Sequence, residues 1–118
     1  SIAILVRDRY QRDAVVNGLA QHGIEVRAVD REAAGRGRPV VMTMHRAKGL
    51  EFRKVLLFDV SKNAIPRSLW DQQYSEADGD DALLRERSLL YVAATRARDQ
   101  LAISWSGEAS PLITALAP

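Results

Sequence analysis

Apolar positions along the chain come in short runs separated by polar, turn-forming segments. Ile2 to Val6 is an unbroken apolar run, the length of a buried strand. Asp8 follows as an N-cap, and Gln11, three residues on, completes a capping box. The helix so opened places Val15, Leu19 and His22 along one stripe and ends at Gly23, a C′ residue. Ile24 to Ala28 reads as a short second strand. Asp30 to Arg38 turns polar and Gly/Arg-rich, as an exposed loop does. Pro39 to Met44 is a further strand, with proline at its first position where a missing N–H is tolerated. A tight segment, His45 to Gly49, leads to Lys54–Val60, a fully buried strand by its composition.

Residues 61–80 are polar, acidic and without period, and a segment of that kind inside a compact domain is usually functional or mobile. Asp80 or Asp81 then caps a predicted helix that runs through Ala97. Leu83, Leu84, Leu90, Tyr91 and Ala94 form its apolar stripe, which Leu89 and Val92 thicken on the far side. Gln100 to Trp105 reads as the last strand, and Ser110-Pro111 opens a short terminal helix. Strands alternating with helices predict an α/β fold, a parallel sheet flanked by helices, in one domain over residues 1–118. Such sheets bind ligands at the C-terminal ends of their strands. That rule favours Arg7-Asp8-Arg9, Thr43 to Glu51, and the acidic loop with Arg67.

Composition adds bounds. With 118 residues, 47% hydrophobic and 27% charged, the chain suits one globular domain with its own core. It has no cysteine, so neither a disulfide framework nor a cysteine-ligated zinc site is available, and no metal site is expected. No apolar run approaches the roughly 20 residues that span a bilayer, and the opening is too brief for a signal peptide. A cytoplasmic protein without membrane contact is the expectation. The net charge of +2 is unevenly spread: residues 1–58 carry eleven Lys/Arg against six Asp/Glu, and residues 59–80 two against five. The basic front half could meet phosphate, although arginine used simply as a solubilising residue gives the same count.

Two segments hold the concentrated chemistry. Thr43-Met-His-Arg-Ala-Lys-Gly-Leu-Glu-Phe52 packs a hydroxyl, an imidazole, two cations, a glycine and a carboxylate together. His, Arg and Lys can meet phosphate, Glu51 can accept from sugar hydroxyls, and Gly49 permits close backbone approach. The segment therefore reads as a polyanion or nucleotide site, with a solvated charged turn as the alternative. In Tyr91-Val-Ala-Ala-Thr-Arg-Ala-Arg98, Arg96 lies among small residues and needs an anionic partner. Spacing leaves two choices open for it, a nucleotide γ-phosphate or an internal salt bridge to Glu86 or Asp99.

These segments, with the intervening apolar strand, the long loop containing a proline, and Arg85-Glu-Arg-Ser-Leu-Leu-Tyr-Val-Ala-Ala-Thr-Arg-Ala97, resemble motifs V and VI of the UvrD/Rep/PcrA superfamily 1 DNA helicases. The opening Ile2-Ala-Ile-Leu-Val-Arg-Asp-Arg9 resembles the strand that precedes the family's 2B insertion, so the resemblance covers nearly the whole chain. It implies the RecA-like second motor domain, 2A, in its C-terminal part. It also implies that Arg96 is the arginine finger reaching the ATP γ-phosphate, with Glu51 near the ribose and Gly49 beside it. Thr43, His45 and Lys48 match positions coupling nucleotide state to the bound strand. Arg7 matches an arginine near the single-stranded DNA path, and Arg67 falls loosely where relatives place a DNA-contacting side chain.

Two departures shape the expectation. Only about ten residues, Ala28 to Arg38, stand where the family has its 2B domain, so the insertion is either naturally absent or removed. No Gly-x-x-x-x-Gly-Lys-Ser/Thr loop and no Walker B acids occur in the sequence. The resemblance thus implies ATP and Mg2+ held mainly by an N-terminal RecA-like motor domain, single-stranded DNA as partner, 3′-to-5′ unwinding, and no ATPase from this chain alone. Relatives that translocate without unwinding share both motifs and form the alternative.

Overall fold

The computed structural model describes residues 1–29, 38–65 and 76–116, the side chains of 76–80 and 114–116 excepted. In chain order its elements are β1 (Ile2–Val6), α1 (Arg9–Gln21), β2 (Arg27–Ala28), β3 (Val40–Thr43), a 3-10 turn (Met44–Ala47), β4 (Phe52–Leu57), α2 (Glu76–Ala94), β5 (Ala97–Ile103) and a terminal 3-10 helix (Pro111–Leu116). The strands form one sheet in the order β2-β3-β1-β4-β5, and every adjacent pair is parallel. The α/β architecture is the one the alternating pattern predicts.

β1 is central and apolar throughout because both its faces are covered. Ala3 and Leu5 point into the larger core, with Val40, Met42, Val55, Leu57, Leu90 and Ala93. Ile4 and Val6 point the other way, against Val15, Val41, Leu19 and Phe58 under α1. Burying each such Val or Leu side chain contributes about 1.5–3 kcal/mol. α1 opens as its sequence predicts, with the Asp8 side chain accepting from Gln11 N–H at 2.8 Å. The reciprocal bond differs: Gln11 Oε1 accepts from Arg7 N–H, one residue outside the cap. The helix closes in a Schellman motif, with Ile24 N–H on Leu19 C=O, Gly23 N–H on Ala20 C=O, and Gly23 at φ 78°.

The second half departs from the periodicity. α2 starts at Glu76 rather than at Asp80 or Asp81. Its first turn carries no apolar period to read, and acidic residues suit a helix N-terminus on electrostatic grounds. It ends at Ala94 rather than Ala97, and β5 begins at Ala97 rather than Gln100. Side chains close the helix early: Thr95 Oγ1 and Arg96 Nε both donate to Val92 C=O, and Arg96 N–H tightens onto Ala93 C=O. The buried stripe also differs. Ala82, Glu86, Leu90 and Ala93 face inward, whereas Leu84 and Tyr91 are 59% and 57% exposed. β4 ends at Leu57 instead of reaching Val60, and Asp59 turns the chain with φ 59°. Among the described residues no helix is long and apolar enough to cross a membrane.

Candidate nucleotide and strand sites

The predicted site residues fall at two ends of the sheet. At the C-terminal end, Val6 of β1 and Thr43 of β3 are register partners, so Arg7 and Met44 emerge side by side. The 3-10 turn and α2 face each other there across a cavity of about 410 Å³. Arg7, His45, Lys48, Arg85, Glu86 and Ser88 supply its polar lining, and Met44, Leu89 and Val92 its apolar walls. Three fixed cations against one carboxylate make it a basic groove. Thr43 is buried, stands at the N-cap position of the 3-10 turn without a side-chain capping bond, and lies outside the lining.

Arg7 is held on two sides. Its Nε lies 3.1 Å from both Glu86 carboxylate oxygens, and one Nη lies 3.0 Å from Oε2. The two side chains are 18% and 5% exposed, so the pair is largely dry. Its backbone is pinned by Gln11, whose Nε2 donates to Asp59 Oδ2 at 3.0 Å. Asp59 in turn accepts from Ser61 Oγ, and its own N–H donates to Ser104 Oγ. Capping, β4 termination and the cavity wall are thereby one hydrogen-bonded network. His45 is held below its ordinary value of 6.5, first by partial desolvation against the cavity wall and then by the nearby Arg7 charge, with Glu86 opposing.

Glu51 and Arg96 lie at the opposite, N-terminal end of the strands, with Gly49 on the way there from the groove residue Lys48. Glu51 immediately precedes β4, and Phe52 N–H donates to Arg96 C=O at 2.9 Å. Phe52 and Ala97 are register partners, so Glu51 and Arg96 sit on adjacent strand starts. The C-terminal-edge rule therefore misplaces Glu51: the segment after β3 crosses β1 and spans the sheet before β4 begins. Gly49 has φ 84°, and nothing within 4 Å would meet an added Cβ. Backbone conformation, rather than close approach inside this chain, requires the glycine.

Arg96 resolves one alternative that spacing left open. Glu86 is engaged by Arg7, and Asp99 by Arg53 and Arg98. Those contacts, the Arg53 hydrogen bond foremost, hold the Asp99 carboxyl below its ordinary value. Among the described residues Arg96 meets no carboxylate; its Nε rests on Val92 C=O and an Nη on Thr95 Oγ1. Arg67 lies outside the described residues, as does most of the acidic stretch before α2. Sequence reasoning missed Gln11 and Asp59 as supports, and saw Glu86 only as a partner for Arg96. The available signal for Glu86 was an acid four residues from both Ala82 and Leu90, inside the apolar stripe.

The family profile described as the UvrD-like helicase C-terminal domain matches residues 37–108. The chain is 36% identical over 83 residues to the putative ATP-dependent DNA helicase YjcD of Bacillus subtilis, covering 70% of this chain and 11% of that protein. It is 37% identical over 86 residues to the ATP-dependent DNA helicase UvrD2 of Mycobacterium tuberculosis, covering 69% and 12%. The chain thus spans about an eighth or less of the length of these curated relatives. The crystal structure of the C-terminal domain of a possible DNA helicase from Lactobacillus plantarum superposes with a TM-score of 0.71. That match covers 95% of this chain and 60% of the other at 24% identity, a likeness of fold.

Proposed function

Because this chain belongs to the UvrD-like helicase C-terminal domain family, we propose that it forms one wall of the ATP cleft in a DNA helicase motor and couples that cleft to a bound single strand. A second RecA-like domain supplies the phosphate loop and holds Mg2+. The observation that carries this reading is the short crossover from Met44 to Glu51. One end contributes His45 and Lys48 to the basic groove beside Arg7; the other sets Glu51 next to Arg96. A shift at either end is transmitted through eight residues of backbone.

On this reading Arg96 spreads positive charge over the γ-phosphate as the two domains close. Its lack of a carboxylate partner among the described residues, and its light tether to Val92 C=O and Thr95 Oγ1, fit such a task. Glu51, exposed beside it, accepts from the ribose hydroxyls. Arg7, His45 and Lys48 meet backbone phosphates without reading sequence. Hydrolysis reopens the cleft and advances the groove along the strand in the 3′-to-5′ direction. The chain alone lacks the parts that cradle Mg-ATP and is inactive as an ATPase.

Unwinding of tailed duplexes tests this in the intact protein. ATP-dependent displacement from a 3′-tailed substrate, with little from a 5′-tailed one, is the expected result. ATPase activity that single-stranded DNA does not stimulate would reject the coupling.

A further inference from the structure

Glu86 occupies a place where an acid is expensive. It sits in the inward stripe of α2, four residues from buried Ala82 and four from buried Leu90, and its side chain is only 5% exposed. The guanidinium opposite it, 79 residues away in sequence, lines the basic groove. The other two fixed cations of the groove, Lys48 and Arg85, make no ion pair among the described residues. One groove cation of three is therefore clamped, and the clamp is a buried carboxylate contributed by a different element.

We infer that Glu86 is a positioning residue: it fixes the Arg7 guanidinium through Nε and one Nη so that the remaining donors are presented to a strand phosphate in the groove. This rests on the strand-binding reading of the cavity given above. Charge alone makes the opposite prediction, since deleting an acid from a basic groove raises its potential and tightens polyanion binding. Positioning makes the deletion weaken binding, because an unclamped arginine must be ordered by the phosphate it meets. The two accounts differ in sign.

The test is binding of a fluorescein-labelled oligothymidylate to the intact protein by anisotropy over a range of salt, with thermal melting to establish that each variant is folded. Arg7→Ala should weaken binding about tenfold and lower the salt slope by about one. Glu86→Ala should do the same, and the double variant should bind no more weakly than Arg7→Ala alone. Should Glu86→Ala fail to fold, Glu86→Gln carries the test with the same signs. Binding by either Glu86 variant at or above wild-type strength overturns the inference, as does an additive double variant. If wild-type protein does not bind, or Arg7→Ala leaves the slope unchanged, the strand site itself is wrong and the inference falls with it. If Arg7→Ala lowers the slope and the Glu86 variants do not, the inference alone fails.

Discussion

Removing either partner of the Arg7–Glu86 pair should destabilise the domain, and by unequal amounts. Truncating one member of a buried ion pair costs about 3–5 kcal/mol, because the other is left charged and poorly solvated. Arg7 is 18% exposed at its side chain and borders the groove, so in Glu86→Ala it can recover some water. Glu86 is 5% exposed within the α2 stripe and recovers less. Arg7→Ala should therefore cost toward the upper end of that range and Glu86→Ala toward the lower. A chain of 118 residues has a total stability of about 6–18 kcal/mol at ordinary per-residue values, so both losses are large. Replacing the pair together, as Arg7→Met with Glu86→Leu, should cost far less than the sum of the single truncations, because neither member of the pair is left without the other. Urea unfolding followed by circular dichroism measures all four proteins. Equal costs below about 1 kcal/mol for the two alanine variants, or a double variant as damaged as their sum, would refute the reasoning.

Protonation of His45 should link pH to both stability and binding. Its folded-state value lies below 6.5, so the fold favours the neutral ring; the resulting stability is complete above the unfolded value and is lost as pH falls through the folded one. A bound phosphate favours the imidazolium, so oligonucleotide affinity should rise as pH drops below about 6.5. His45→Gln should flatten that rise in an anisotropy titration at fixed salt. Gly49→Ala should cost about 1–2 kcal/mol in urea unfolding, because alanine resists φ 84° and no clash contributes; a neutral result would mean the crossover adopts another conformation. On α2, Leu90→Ala should cost about 2–5 kcal/mol and Tyr91→Ala far less, since Leu90 is buried and Tyr91 is 57% exposed; comparable losses would place the helix in another rotation.

The sheet is legible because its central strands are buried on both faces and so read as apolar runs; the run Ile2 to Val6 coincides with β1 at both ends. α1 was legible from capping chemistry, down to Asp8 and Gly23. α2 was harder. Its start has no apolar period, and its end is set by Thr95 and Arg96 side chains bonding to Val92 C=O, which hydrophobic pattern does not see. The stripe erred because Leu84 and Tyr91 are apolar yet exposed, while Glu86 is charged yet buried. A partner 79 residues distant decides that burial, and spacing along α2 shows only an acid in line with Ala82 and Leu90, not the arginine it meets. Of the candidate site the motifs supplied residues without geometry: the fold is what brings Arg7, His45 and Lys48 to one groove and sets Glu51 beside Arg96.

The central claim is that Arg96 completes an ATP cleft from this side. DNA-stimulated ATPase of the intact protein with Arg96→Ala tests it most directly. Turnover should fall by roughly three to five orders of magnitude, the range for loss of an arginine finger, while oligothymidylate affinity stays within about threefold, since Arg96 is not among the residues that line the groove. Turnover within tenfold of wild type would contradict the account.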